Sequence, residues 1–418
     1  MYNEFVEALK RELVPAMGCT EPIAIAYAGA VARRELGAVP QHITVRCSGN
    51  IIKNVKGVVV PTTGDMKGIE TSAVLGSLAG DADKNLEVLN GVRPEDIEKT
   101  KELLAHGICR VELAEGVENL YIELTASAGE DRVTVVIADT HTNIVKIEKN
   151  GVVCFETKKA AEEIQKVINE NQFTVRSIYE FANTVNIEDV KDVLDRQISM
   201  NMRIATEGME HLYGANVGKS LVKHYGEDIK ILAKAYAAAG SDARMSGCEM
   251  PVVINSGSGN QGITVSVPVV VYAKYLDVSD EKLYRALTLS NLLSIHLKMG
   301  IGKLSAYCGA VSAACGCGAA ISYLYGAPFE VIADTITNIL GNVSGIVCDG
   351  AKPSCAAKIA SSVDAAILGH SMAMDGMTFS DGEGLVKKDI EETIQSIWRL
   401  GKEGMKDTDV EILNIMIN

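Results

Sequence analysis

Short runs of β-branched residues with partial polar–apolar alternation characterise the first third of the chain. Such runs are typical of half-buried strands. They occupy residues 43–47, 58–60, 120–124 and 133–137. Apolar residues at helical spacing lie between these runs and predict helices over residues 23–36, 68–78 and 94–104. The pattern of this region therefore predicts a mixed α/β domain.

The strand pattern almost vanishes after about residue 185, and helical spacing replaces it. Helices are predicted over residues 187–208, 229–239, 262–275, 281–297, 305–325, 328–340 and 354–368. Several of them are apolar nearly all round, which is typical of helices buried inside a helical domain. We therefore predict an α+β protein, with a mixed α/β domain at residues 1–185 and a mostly helical domain at residues 186–418.

Amphipathic helices are also predicted at residues 1–11 and 388–405, and a charged segment at residues 158–170 has apolar residues at helical spacing. The N-terminal segment has no apolar core long enough for a signal peptide. The apolar run at residues 265–272 is shorter than the roughly 20 residues that span a bilayer. We therefore expect a cytoplasmic protein without a membrane partner.

The charge balance is acidic, with 40 Lys and Arg against 54 Asp and Glu and a formal net charge of −14. This balance argues against a nucleic-acid-binding surface. The ten cysteines are spread along 418 residues and are not spaced like the disulfide framework of a small secreted domain. A soluble enzyme in a reducing cytosol is the simplest interpretation.

A Met-Gly-Cys-Thr-Glu-Pro segment at residues 17–22 precedes a predicted helix. Thr20 is a suitable N-cap, and Glu21 and Pro22 suit a first helical turn. Free N–H groups at a helix start can bind a carboxylate, so Thr20 is a candidate substrate-binding residue. Cys19, just before the helix, is expected to have a lowered pKa and to be reactive. An ordinary capped helix explains the same spacing.

Two polar segments are further candidates. The loop at residues 255–262 is rich in Gly, Ser and Asn, and its residues Ser256, Ser258, Asn260 and Gln261 could donate hydrogen bonds to a carboxylate at the start of the following helix. A flexible linker has a similar composition. His141 follows a predicted strand and is a candidate catalytic residue, although a hydrogen-bonded structural histidine is equally compatible with its position.

Three cysteines of the helical half form the strongest candidate site. Cys308 lies near a predicted helix start, and Cys348 and Cys355 flank a loop that contains Asp-Gly and Lys-Pro. Three thiolates from separate segments can hold an iron–sulfur cluster and leave its fourth iron without a protein ligand. A zinc site and buried free thiols are the alternatives. Cys315 and Cys317 are too closely spaced for the usual Cys-x-x-Cys pattern and are interpreted as small core residues.

Taken together, these segments resemble a known family. The order of Cys308, Val-Cys-Asp-Gly at residues 347–350 and Pro-Ser-Cys at residues 353–355 is similar to the α domain of bacterial iron–sulfur L-serine dehydratases, in which three cysteines hold a [4Fe–4S] cluster. The residue 17–22 segment, the residue 256–262 loop and Leu-Ser-Ala-Tyr-Cys at residues 304–308 resemble the related L-cysteine desulfidases more closely. Residues 1–185 resemble the dehydratase β region in outline, with Gly-Cys-Thr in place of its Ser-His-Thr.

The resemblance implies a lyase that carries a [4Fe–4S] cluster and needs no pyridoxal phosphate. Cys308, Cys348 and Cys355 are its implied ligands, and Cys19 is either the first candidate for the catalytic base or a replacement for Cys355 as third ligand. His141 is the second candidate base. The implied reaction is α,β-elimination from L-cysteine to pyruvate, ammonia and sulfide. L-Serine as substrate and a non-catalytic iron–sulfur sensor are the alternatives. The expected partner is a small amino acid, and a homodimer is compatible with the sequence.

Overall fold

Six strands between residues 42 and 156 form one mixed sheet. A computed structural model describes residues 1–157 and 173–417, so the segment at residues 158–170 that was predicted to be helical lies outside the described residues. The strand order in the sheet is β3-β2-β4-β5-β6-β7. The strands are β2 (His42–Cys47), β3 (Cys109–Leu113), β4 (Tyr121–Ala128), β5 (Asp131–Ala138), β6 (Ile144–Lys149) and β7 (Val152–Glu156).

The sheet is an antiparallel meander with one parallel pair at its edge. Strand β2 pairs in parallel with β3 and antiparallel with β4, and each later strand pairs antiparallel with its predecessor. Residues of β2 and β4 alternate between buried and more exposed positions, because one face packs on helices. The helices of this region are α1 (Tyr2–Glu12), α2 (Thr20–Leu36), α3 (Gly49–Val55), α4 (Gly68–Ala79) and α5 (Pro94–Ala105).

Helix α2 packs on α4 through small residues. A Cβ atom added at Gly76 would lie 2.2 Å from the carbonyl oxygen of Ala26, so the two helix backbones can approach this closely only because residue 76 is glycine. Helix α2 also packs on β4 and β5. This packing fixes the start of α2 relative to the sheet.

The second half of the described chain is almost entirely helical. Its helices are α6 (Val175–Thr184), α7 (Lys191–Glu210), α8 (Val217–Tyr225), α9 (Ile229–Met245), α10 (Gly259–Tyr275), α11 (Asp280–Ile301), α12 (Gly309–Leu324), α13 (Phe329–Val343), α14 (Cys355–Met374), α15 (Ile390–Arg399) and α16 (Lys406–Ile417). Helix α12 lies at the centre and packs on α10, α11, α13 and α14. Its alanines, glycines and cysteines are buried, which permits these close approaches.

A two-stranded antiparallel ribbon joins the two halves. Strand β1 (Pro15–Met17) pairs with β8 (Pro251–Val253), with Pro15 opposite Val253 and Met17 opposite Pro251. The residues that follow each strand, Gly18 to Thr20 and Ile254 to Ser258, are thereby brought together although they are more than 230 positions apart in the sequence. The ribbon creates one wall of the site described below.

The predicted fold class is confirmed: strands and helices mix in the N-terminal region and helices dominate the C-terminal region. The prediction of a strand at residues 58–60 was wrong, because only Val59 forms a single bridge, to Lys67, before the turn at Pro61. Helix α10 begins at Gly259 and not at residue 262, which places Asn260 and Gln261 in its first turn.

Among the described residues, none of the helices combines the length and apolar character that a membrane crossing requires.

Candidate functional site: a cavity between four helix starts

One cavity of about 710 Å³, open to solvent, lies where four long helices begin. Residues from the first turns or N-caps of α2, α10, α12 and α14 line it. The positive ends of four helix dipoles and their free N–H groups therefore face a common space, an arrangement that favours anions. We call the part around Cys308, Cys348, Cys355 and Lys298 the thiol end, and the part around Arg244, Ser258, Asn260 and Gln261 the polar end.

Cys308 and Cys348 are held side by side at the thiol end by backbone pairing. The N–H of Cys308 donates to Ile346 O at 3.1 Å, and the N–H of Cys348 donates to Ala306 O at 2.6 Å. Tyr307 and Val347 form the isolated antiparallel bridge between these hydrogen bonds. Two segments forty residues apart in the sequence are thereby fixed in register, and their thiols both reach the cavity wall.

Cys355 reaches the same wall from the first turn of α14. The loop before it passes close to α3, because a Cβ atom at Gly350, whose φ is +94°, would lie 2.3 Å from Lys53 O. The ammonium group of Lys358 pairs with Asp349 inside this loop. Cys315 and Cys317 lie buried further along α12 and do not line the cavity, in agreement with their interpretation as core residues.

Burial keeps the thiols of Cys308 and Cys355 predominantly protonated in the absence of a metal. Burial, together with the neighbouring Cys348 thiol, raises the pKa of Cys308 to about 12. Burial also raises the pKa of Cys355. Beside them lies Lys298 from the last turn of α11, which is only 4 % exposed and makes no ion pair with any residue that the structure describes. Burial lowers the pKa of Lys298 to about 8, against the opposing effect of Cys348 and Cys308.

Helix α16 stabilises the segment that carries Cys308 through contacts of Asp409. Asp409 accepts a hydrogen bond from the N–H of Ala306 at 2.9 Å, and its other carboxylate oxygen pairs with the ammonium group of Lys53 from α3. Lys53 is only 1 % exposed. Ser305 adds a hydrogen bond from its hydroxyl to Gly401 O at 2.7 Å. The segment that carries Cys308 is therefore tied to the end of the chain and to the sheet half at once.

The polar end is built on the first turn of α10. Ser258 is the N-cap, and its hydroxyl accepts the N–H of Gln261 at 3.4 Å. Asn260 accepts a hydrogen bond at 3.2 Å from Nη1 of Arg244, which comes from the last turn of α9. The amide oxygen of Gln261 is buried and accepts no hydrogen bond from the described part of the chain. Ser258, Asn260 and Gln261, three of the candidate substrate-binding residues, thus all line the cavity.

A buried amide network supports the loop that leads into α10. Gln197 and Asn291 exchange two hydrogen bonds, and Asn291 Oδ1 also accepts from Asn255 Nδ2 at 3.0 Å. Asn201 pairs with both backbone groups of Val253 in β8. Because these amides are fully buried and hydrogen-bonded, they fix one conformation of the loop.

The start of α2 forms the third side of the cavity. Cys19 is the N-cap and Thr20 the first helical residue, so the prediction of Thr20 as N-cap was wrong by one position. The Thr20 hydroxyl instead donates to Gly257 O at 2.8 Å and connects α2 to the loop before α10. Cys19 Sγ donates to Glu21 Oε2 at 2.9 Å. Both Cys19 and Thr20 line the cavity.

The pKa of Cys19 differs from the sequence-based expectation. Burial and the adjacent Glu21 carboxylate raise the pKa of this thiol well above its usual value, and they outweigh the charge of Arg244, which lowers it. Glu21 itself is ionised. Burial alone would raise the pKa of Glu21, but His141 and the Cys19 thiol together lower it to about 2. A helix start is therefore not sufficient here to make the thiol acidic.

The structure does not place His141 and Ser256 on the cavity wall. His141 Nε2 lies 3.9 Å from Glu21 Oε1, so it reaches the cavity only through that carboxylate. It faces a neighbouring cavity of about 610 Å³ with Gly257 and Lys303, and Lys303 is paired with Glu12. The Ser256 hydroxyl donates to Asn255 Oδ1 at 2.9 Å and so belongs to the amide network.

Sequence reasoning missed Glu21, Arg244 and Lys298 as residues of the site. Glu21 was assigned only to a first helical turn, and the other two lie just beyond the ends of the helices predicted over residues 229–239 and 281–297, in the last turns of the longer helices that the structure has. The sequence did contain a signal for such residues. A charged side chain in a helix that is apolar nearly all round has to find a buried partner or a ligand. Both Arg244 and Lys298 meet this condition.

The donor set at the thiol end fits an iron–sulfur cluster. Three thiols from three segments line one cavity, and Lys298 provides an unpaired positive charge beside them. Within residues 1–157 and 173–417, no group of three or more His, Cys, Asp or Glu side chains is arranged to hold a single metal ion. A cluster does not require the ligand geometry of a single metal ion, because each of its cysteine ligands binds a different iron.

Comparisons with known proteins show what the chain is similar to. A family model described as serine dehydratase alpha chain matches residues 83–414. The chain is 55 % identical over 422 residues to a UPF0597 protein of Lachnoclostridium phytofermentans, with all of both chains covered. It is 54 % identical to a UPF0597 protein of Desulfitobacterium hafniense, covering 100 % of this chain and 97 % of that one, and 47 % identical to one of Treponema denticola, covering 100 % and 98 %.

Proposed function

The chain belongs to the serine dehydratase alpha chain family, and from this membership and the cavity we propose that it is an iron–sulfur-dependent lyase acting on L-cysteine. The reaction is α,β-elimination, and its products are pyruvate, ammonia and sulfide. The observation that carries the proposal is the convergence of Cys308, Cys348 and Cys355 on a cavity lined by four helix starts. All ten cysteines are unpaired, which suits the reducing cytoplasm where we propose the enzyme works.

The thiol end is the proposed cluster site. Cys308, Cys348 and Cys355 would hold the cluster as thiolates, so loading the site would release the protons that the raised pKa values of Cys308 and Cys355 retain. Lys298 would then face the negative charge of the thiolates. When bound, a [4Fe–4S] cluster supplies a Lewis-acidic iron with an open position, which accepts the negative charge that develops on the leaving sulfur.

Cys19 is the proposed base. Its thiol has one described proton acceptor in contact, Glu21 Oε2, and the thiolate is the form that removes the Cα proton. The electron pair of the C–H bond becomes the Cα–Cβ double bond while the Cβ–S bond breaks and sulfide leaves. The aminoacrylate that remains takes up a proton as the imine, and water hydrolyses it to pyruvate and ammonia. His141, behind Glu21, is the second candidate base.

L-Serine is the second candidate substrate, because the family model that matches the chain is described as serine dehydratase alpha chain. The Gly-Cys-Thr segment at residues 18–20 favours L-cysteine, since it resembles the desulfidases.

The test is anaerobic reconstitution with iron and sulfide, followed by parallel assays with L-cysteine and L-serine. We expect iron-dependent release of both sulfide and pyruvate from L-cysteine. Pyruvate from L-serine alone would transfer the assignment to a dehydratase. A bound cluster without either product would exclude both reactions, and a protein that binds no iron would contradict the proposal as a whole.

A further inference from the structure

Arg244 is a buried cation without an anionic partner. Its side chain is 2 % exposed, and no carboxylate lies within ion-pair distance in the described part of the molecule. Nε makes no hydrogen bond with any described residue, and Nη1 donates only to the neutral amide oxygen of Asn260. A guanidinium group that is removed from water without a counter-charge is strongly disfavoured, so this arrangement indicates that an anion binds beside it.

None of the other charged groups at the cavity is the counter-charge of Arg244, and the other cations have negative groups of their own. Lys303 is paired with Glu12, and Lys358 is paired with Asp349. The Glu21 carboxylate accepts from Cys19 and Thr20 and faces His141. Lys298 lies at the thiol end beside Cys308 and Cys348, where the proposed cluster provides negative charge. Arg244 therefore remains for a second anion in the same cavity.

The start of α10 adds a second attraction for an anion at the same point. Helix α10 has 17 residues, and Ser258 caps it. A Cβ atom at Gly259 would lie 2.2 Å from Arg244 Nε and 2.6 Å from Cζ, so the guanidinium group lies directly against the first helical residue. Glycine is required there to admit it. The positive end of the helix dipole and the guanidinium charge thus act on one position.

An α-amino acid matches the unpaired groups on this wall. Its planar carboxylate fits the guanidinium fork better than a single oxygen would. Its ammonium group carries three donors, and the Gln261 amide at the same helix start has an oxygen without a donor. Both residues line the cavity. An amino acid whose carboxylate is held at the polar end directs its β-substituent toward the thiols.

We propose that Arg244 and the first turn of α10 bind the carboxylate of an α-amino acid, and that Gln261 accepts a hydrogen bond from its amino group. This inference rests on the proposed function for the identity of the reaction, but the binding step is independent of turnover. Arg244 is thus a specificity-determining residue: it selects zwitterionic α-amino acids and leaves the β-substituent to face the thiol end.

The test is calorimetric titration of the full-length protein, cluster-free and reconstituted, with L-alanine. L-Alanine has no β-leaving group and cannot be eliminated, so binding is measured without reaction. L-Alaninamide removes the carboxylate charge, propionate removes the amino group, and inorganic phosphate tests for a general anion site. The variants are Arg244→Gln, Arg244→Lys and, as a matched control, Arg110→Gln, whose side chain is 79 % exposed on β3.

We expect Arg244→Gln to weaken L-alanine binding by about 30-fold or more and to abolish the preference for L-alanine over L-alaninamide. Arg244→Lys should keep only part of the wild-type affinity for L-alanine. The control Arg110→Gln should bind L-alanine as tightly as the wild type. Equal binding of L-alanine and L-alaninamide by the wild type, or unchanged L-alanine binding in Arg244→Gln, overturns the proposal. Phosphate binding as tightly as L-alanine overturns the amino-acid assignment.

The ligand comparison on the wild type keeps the test decisive if Arg244→Gln does not fold. The outcome is also separable from that of the proposed function. Arg244-dependent L-alanine binding without any sulfide or pyruvate release would support the subsite and contradict the lyase assignment. Release of sulfide and pyruvate, together with L-alanine binding that does not depend on Arg244, would support the lyase assignment and contradict the subsite.

Discussion

The thiol end and the polar end of the cavity are held in place by different means. The thiol end combines two segments that are paired through backbone hydrogen bonds and tied to Asp409 of α16 with the start of α14 and the last turn of α11. The polar end is the first turn of α10 with Arg244 of α9 against it, and a buried amide network behind it fixes the incoming loop. The thiol end is therefore assembled from several separate segments, whereas the polar end depends mainly on one helix start.

This difference suggests that the two ends of the cavity have separate functions. The thiol end carries nucleophilic sulfur and one unpaired lysine, as metal binding requires. The polar end carries a guanidinium group and amides, as recognition of an organic zwitterion requires. If this separation holds, substitutions at one end should change metal content and those at the other end should change ligand affinity, with little overlap.

The largest effect is expected for Cys308→Ala. Removing this thiolate should prevent retention of iron after anaerobic reconstitution and reduce sulfide and pyruvate release below detection, because the cluster loses a ligand held in register with Cys348. Iron content and visible absorbance measure the outcome. The matched control is Cys317→Ala on the same helix, which removes a buried thiol away from the cavity and should keep its iron. Iron retention in Cys308→Ala would exclude the assigned ligand set.

The next effect separates the two roles considered for Cys19. If Cys19 is the base, Cys19→Ala should lower the elimination rate by about 10²- to 10⁴-fold and leave the iron content unchanged. Cys355→Ala should then lose iron. The opposite result, with iron lost in Cys19→Ala and kept in Cys355→Ala, would make Cys19 the third ligand and move a ligand to the sheet half of the molecule.

The candidate residues at both ends of the cavity could be proposed from the sequence, and the reason is physical. Cys308, Cys348 and Cys355 were proposed because three thiols from separate segments are a donor set that suits a metal cluster. Ser258, Asn260 and Gln261 were found because a helix start can be read from local capping residues. The fold class also followed from local periodicity, which changes where the sheet ends.

Arg244, Lys298 and the Cys19 pKa could not be predicted in the same way. Arg244 reaches the site only because α9 ends against the start of α10, and Asp409 reaches the thiol end only through packing of the C-terminal helix. The pKa of Cys19 depends on burial and on the orientation of Glu21, which are properties of the tertiary structure. Spacing along the chain carries no information about such contacts.

The raised pKa of Cys19 gives a pH dependence with a definite sign. Because the thiolate is the active form and the pKa of the thiol lies well above its usual value, the active fraction should rise about tenfold per pH unit below that pKa. We therefore expect kcat/KM for L-cysteine to increase between about pH 6.5 and pH 8.5 with a slope near one on a logarithmic plot. A stopped-assay profile on reconstituted enzyme measures it, and a flat profile would exclude Cys19 as the base.

The smallest effect concerns the amide network behind the polar end. Asn291→Ala leaves the buried Gln197 amide without its partner and removes one of the two acceptors of Asn255 Nδ2, so we expect a loss of about 1–3 kcal/mol in the free energy of unfolding. L-Alanine affinity should fall severalfold because the loop before α10 loses its fixed conformation, while iron content should stay at the wild-type level. Urea denaturation, calorimetry and iron analysis measure the three quantities on one preparation.

The control for this variant is Asn342→Ala, an exposed asparagine on α13 that should leave all three quantities unchanged. The decisive quantity is the iron content, because the Asn291 network contacts the loop before α10 and not the segments that carry Cys308 and Cys348. Iron retained with weakened L-alanine binding would show that the two ends act independently. Iron lost together with affinity would show that the amide network supports both ends, and that the cavity responds as one unit to ligand and metal.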